Sequence, residues 1–299
     1  MSYSIEKITP VVYENCFFTI TNNQGYCFDS DRSFIEQSND WHYLIKGHSH
    51  TPVLGKDYVT IDEAVVPLVT SFHTGVHAYS GVYSILLNYF SKAENSKYKF
   101  IVFRELQSGI LEVVEKLVSK SRIIYLESDT LYRFREVLLI PNSLHSFLES
   151  EKITRNISNF IQSRIVDVDY KTNYTKTAII KKLESSVSST MGVVDSKVAN
   201  SFCERNGYVS VEPSDVGEIG LANILYNSEE VVFSWGTTFM KNFIYLSDKC
   251  KKVTVIIFGQ DFYNEYQNAK ERDILVTSFR NAKFTYYIEP DLEKLQFIN

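Results

Sequence analysis

From about residue 64 onward, short runs of β-branched and aromatic residues alternate with longer stretches of helical periodicity. That alternation restricts the chain to an α/β fold, with parallel sheets covered by helices. It is clearest in the carboxyl-terminal half. A helix over 194–205 is predicted to stop at Asn206-Gly207, because glycine enters the left-handed conformation that ends helices without a steric penalty. A strand over 208–211, a helix over 216–226, a strand over 230–234, a helix over 237–246 and strands over 253–258 and 284–288 are predicted to follow. Parallel strands need such crossovers, since no tight turn can join them.

An earlier block carries the same rhythm. A helix is expected to begin near Val82 and to lead into a strand over 99–103. The next helix sets Ile110, Val113, Val114 and Leu117 on one face, and strands over 122–126 and 133–141 come after it, the last ending at Pro141. This block resembles a small Rossmann-type unit. Upstream, CFFTI and YCFDS flank Asn22-Asn23-Gln24-Gly25, which predicts a hairpin added antiparallel to the first domain. A polar, helix-compatible stretch over 143–164 and a segment rich in Lys, Thr and Tyr separate the two blocks. The expected domains are therefore 1–165 and 166–299.

Composition narrows the function classes. With 299 residues, 44% of them hydrophobic and 22% charged, the chain can bury two ordinary cores. Acidic residues outnumber basic ones 36 to 31, so no global field draws the protein to nucleic acid. Cys16, Cys27, Cys203 and Cys250 are scattered, without the close pairing of a zinc site or a dithiol redox motif, and read as reduced thiols. Apolar runs such as 253–258 fall far short of the ~20 residues that cross a bilayer. The start, MSYSIEKITP, lacks the pattern of an export signal, so a cytoplasmic location is expected. No GxGxxG run follows a predicted strand, which disfavours a dinucleotide-dependent dehydrogenase.

In open parallel sheets ligands bind beyond the carboxyl ends of strands. Two connections there carry chemistry. Ser234-Trp235-Gly236-Thr237-Thr238 follows an apolar strand and precedes a helix: glycine permits close approach of a ligand, the hydroxyls either bind an anion or cap the helix, and Trp235 offers a ring face to a base or sugar. Glu212-Pro213-Ser214-Asp215-Val216-Gly217-Glu218 gathers three carboxylates, each a candidate base, while Ser214 or Asp215 serves equally well as a helix cap. In the first domain His73 and His77 are further candidate bases, in a loop expected just before the first long helix. The Thr74-Gly75 pair between them argues against a metal site, and none is expected elsewhere.

The phrase FCERNGYVSVEPSDVGEIGLANILYNSEEVVFSWGTTFMKN is similar to the carboxyl-terminal half of family 61 glycosyltransferases, which carry a glycine-ended helix, a strand ending in glutamate, a second glutamate opening the next helix, and an HGAxLxN-like turn. Gly207, Glu212, Glu218 and Gly236 match those positions. Trp235 stands at the family's histidine, Thr237 at its alanine, and Lys241 or Asn242 at its asparagine. Lys181-Lys182 sit where the family carries a basic residue, and SGVYSILLNYF resembles its GHW helix start, with Val82 and Tyr83 in place of histidine and tryptophan. The resemblance spans roughly residues 70 to 260. It implies two Rossmann-like domains facing a cleft (the GT-B type) and an inverting transfer that needs no metal or other cofactor. It also implies a nucleotide-sugar donor, UDP-sugar favoured, held by the second domain through Lys182 and the 234–238 turn, and a glycan acceptor. Glu212, Glu218, Asp215 or His77 would serve as the base. Two alternatives stay open: transfer of another activated anion, such as a sialyl or pyruvyl group, and a non-catalytic binding module.

Overall fold

The computed structural model describes residues 10–21, 24–35, 54–68, 75–91, 97–104, 106, 108–140, 151–167, 169–170, 172, 174–180 and 197–288. The chain divides into two compact units, Met1–Phe147 and Leu148–Asn299. Each is built of strands and helices around its own sheet, an α/β organisation.

The first unit contains β1 (Val11–Thr21), β2 (Gln24–Phe28), β3 (Val59–Pro67), α1 (Gly75–Phe90), β4 (Lys99–Phe103), α2 (Ser108–Leu117), β5 (Ile123–Leu126) and β6 (Tyr132–Leu139). Its sheet runs β2-β1-β6-β3-β4-β5. β3, β4, β5 and β6 are mutually parallel, whereas β1 is antiparallel to both β2 and β6. The expected amino-terminal hairpin is present, with Thr21 opposite Gln24, and it extends the sheet beyond β6. Phe17, Tyr26, Phe28 and Leu131 form a small apolar cluster at that end. On α2, Ile110, Val113 and Val114 are buried at the spacing of one helical face. Two expectations shift: α1 begins at Gly75 rather than near Val82, and β3 is a strand that no alternating pattern announced.

The second unit comprises α3 (Glu151–Ile165), β7 (Lys176–Ile179), α4 (Lys197–Arg205), β8 (Val209–Ser210), α5 (Pro213–Asn227) and β9 (Glu230–Ser234). After them come α6 (Thr237–Asn242), a 3-10 turn (Phe243–Tyr245), β10 (Lys252–Ile257), α7 (Gly259–Thr277) and β11 (Lys283–Ile288). Its sheet is wholly parallel, in the order β11-β10-β9-β7-β8. Val231, Val232, Phe233, Val253, Val255, Ile256 and Ile257 are nearly or wholly inaccessible, the continuous apolar run of strands covered on both faces. The predicted helix stop is made as expected. Gly207 has φ 73°, Tyr208 N–H donates to the Cys203 carbonyl at 2.9 Å and Gly207 N–H to that of Glu204 at 3.1 Å, the paired bonds of a Schellman motif.

α3, which the sequence grouped with the first half, belongs to the second unit. Its Ile153, Ile157, Ile161 and Ile165 are buried at four-residue spacing. Gln162 Nε2 donates to the carbonyls of Ile244 (2.6 Å) and Leu246 (2.8 Å), and Arg280 also donates to the Ile244 carbonyl at 3.0 Å. Those donors satisfy carbonyls that the end of the 3-10 turn leaves without partners in the helix. Among the described residues, no helix is long and apolar enough to cross a membrane.

Candidate functional site

Counted from β7, the second sheet has strand order 2-1-3-4-5, so the winding reverses between β7 and β9. At such a reversal the connections leave neighbouring strands in opposite directions and open a crevice beyond their carboxyl ends, the usual ligand position in doubly wound sheets. β9 runs directly into Trp235 and Gly236 at that end. Trp235 N–H still donates to the Ile256 carbonyl at 2.8 Å, and the chain then turns at Gly236 (φ 98°, ψ −144°) into α6. This conformation is essentially confined to glycine. Among the described residues, a methyl group built on Gly236 would meet no atom within 4 Å, so they leave space open beside the backbone there. As helix cap, Gly236 has no side chain to bond the first amides of α6, which have no acceptor inside the helix.

The carboxyl end of β8 leads to a second corner of the same kind. α5 opens with Pro213 after Glu212, and at Gly217 (φ 69°, ψ 175°) the backbone leaves helical geometry before the helix resumes. Neither Ser214 nor Asp215 caps the helix: the cap position is Glu212, which makes no side-chain capping bond. Glu212 is half-buried, whereas Asp215 is exposed, with Ser214 Oγ 3.5 Å from its carboxylate. Glu218, the first residue beyond the Gly217 corner, is 4% exposed. Its Oε1 accepts from the Tyr245 hydroxyl at 2.8 Å and its Oε2 pairs with Lys241 Nζ at 2.7 Å. A carboxylate so enclosed is poorly placed to take a proton from a bulky acceptor.

Trp235 does not present its ring. The side chain is buried, its Nε1 donates to Asp273 Oδ2 on α7 at 2.8 Å, and it meets Tyr266 edge-on, so its polar edge serves the core. The expected stacking platform is therefore replaced by an anchor for the end of β9. Ser234 is 2% exposed and Thr238 half-buried, its carbonyl accepting from Asn242 Nδ2 at 2.9 Å. Thr237 opens α6, with its side chain outside the described residues, as are Lys181, Lys182 and His73 in full. His77 lies in the first turn of α1 rather than in a loop, and its side chain is likewise outside the described part. The four cysteines are buried, and none is in a disulfide. Burial pushes the Cys203 thiol up to about 12 and the Cys250 thiol up to about 11, which removes both as nucleophiles at neutral pH. Among the described residues, no group of three His, Cys, Asp or Glu is arranged to hold a metal ion.

Three residues that pair with the candidate site were not indicated as partners by the sequence. Lys241 and Tyr245 are four residues apart, and that spacing alone puts both on one face of the α6 segment, towards Glu218. Asp273 comes from α7, an element that no sequence signal marked. Compared with models of known protein families the chain matches none, and no curated protein matches it significantly.

Proposed function

We propose that the protein is a transferase that binds a nucleoside-diphosphate sugar at the winding reversal of its second unit and transfers the sugar without a divalent metal. One observation carries this reading: β9, at the reversal, ends in a glycine-only corner, with no described atom within 4 Å of a methyl built there and no side-chain cap on the helix that follows. Backbone N–H groups there suit the oxygens of a diphosphate, and stabilising the departing diphosphate is the main electrostatic task of such a transfer. α6 has six residues, so directed hydrogen bonds rather than a long helix dipole would do the holding. The resemblance to family 61 glycosyltransferases supports the same ligand, with the donor bound by the second unit and the acceptor by the first. Glu212, half-buried at the end of β8, is more open to an incoming acceptor than Glu218, which is 4% exposed, and is the preferred candidate for the base.

The enclosure of Glu218 and the inward turn of Trp235 favour a second reading, a nucleotide-binding module without transfer activity. Thermal unfolding with nucleotides in the absence of magnesium tests the first reading. Ligand at about a hundred times its dissociation constant adds about 2.7 kcal/mol of stability, enough to raise the melting temperature by several degrees. UDP or GDP should do so. A response to CMP alone would move the assignment to a sialyl-type donor, and no response to any nucleotide would remove it. Turnover of a UDP-sugar separates enzyme from binding module.

A further inference from the structure

The contact between Glu218 and Lys241 joins the two glycine corners. Glu218 directly follows Gly217, and Lys241 lies on the short helix that Gly236 opens. Their side chains are 3% and 11% exposed, and the carboxylate uses both oxygens, one for Lys241 and one for Tyr245. Removing two charges from water is costly, and a buried ion pair is often no more stabilising than apolar residues of the same volume. What such a pair does provide is fixed geometry, because both partners lose much if either moves. Next to Gly236 in the chain, Trp235 is tied to Asp273 on α7, which is wholly buried. The segment around Gly236 is thus tied to α5 through Lys241 and to α7 through Trp235.

We infer that Glu218 and Lys241 are positioning residues, which set the Gly217 and Gly236 corners at the spacing a nucleoside diphosphate requires. The inference rests on the function proposed above and assigns Glu218 a different task from that of a base. It separates from a merely structural role by experiment, with UDP affinity and melting temperature measured on the same full-length variants. Glu218→Gln and Lys241→Met each break the buried Glu218–Lys241 ion pair, so both should lower the melting temperature and weaken UDP binding. The combined Glu218→Leu, Lys241→Met, Tyr245→Phe variant removes the ion pair and the Tyr245 hydroxyl together and should melt above either single charge deletion. Its affinity for UDP should nevertheless stay about tenfold or more below that of the parent, because the corners are no longer registered. Parental affinity in that variant would overturn the inference and leave the proposed function standing. Should the combined variant not fold, Lys241→Arg and Lys241→Met are compared at a temperature where both are folded. Retained affinity in the arginine variant alone supports the positioning role, and equal affinity in the two overturns it. A parent protein that binds none of UDP, GDP or CMP overturns the function and this inference with it.

Discussion

Single residues at the reversal have separable tasks. Gly236 supplies a backbone conformation, Trp235 an anchor and Glu218 a joint, and only the first is what the sequence alone indicates. Glycine in a strand-to-helix turn has few other uses, so its task is readable without coordinates. An indole is different, because its direction depends on whatever packs beside it. Trp235 points inward because α7 brings Asp273 to meet its N–H, and that meeting joins residues 38 positions apart in the chain. Replacing Trp235 with Phe keeps the ring volume but takes one donor from a wholly buried carboxylate. Such a loss costs on the order of 1–3 kcal/mol, more when the group left behind is charged. Chemical denaturation should show Trp235→Phe destabilised by at least that much, whereas an unchanged midpoint would mean that Asp273 does not depend on the indole.

Elements were legible where a local rule decides them. The strands Lys99–Phe103 and Glu230–Ser234 fall where the apolar runs placed them, and the Schellman stop of α4 falls where Asn206-Gly207 placed it. β3 escaped notice because Asp62 and Glu63 interrupt its apolar half at a shift in pairing register, where Glu63 pairs with Lys99 and Asp62 with Arg135. α7 escaped for the opposite reason: its sequence is largely polar, and buried Tyr266, Asp273 and Thr277 make no apolar stripe. α1 is buried at Tyr79, Val82, Tyr83 and Leu86, so hydrophobicity marks its middle and not its start. The Schellman stop gives an element-level prediction. A methyl group at Gly207 would meet nothing among the described residues within 4 Å, so there Gly207→Ala is penalised only through its φ of 73°. The expected loss is about 1–2 kcal/mol, visible as a melting temperature a few degrees lower by circular dichroism. A variant as stable as the parent would show that α4 can end without the left-handed residue.

At the scale of the whole molecule, the sequence indicated two α/β units but not the order of the strands within them. Order is a property of pairings between distant segments: β7 lies between β8 and β9, although residues 180–208 and 211–229 separate these strands along the chain. No window of sequence contains that fact, and yet it brings Gly236 to the winding reversal. The same limit assigned α3 to the wrong half, since its four isoleucines identify a buried face without saying what buries it. The proposed activity requires that the backbone corner at the end of β9 receive the ligand. Amide chemical shifts recorded during a UDP titration without divalent metal test it directly. The largest changes are predicted at Gly236, Thr237 and Thr238, with smaller ones around Gly217. Changes confined to other parts of the chain, or none at saturating UDP, would contradict it.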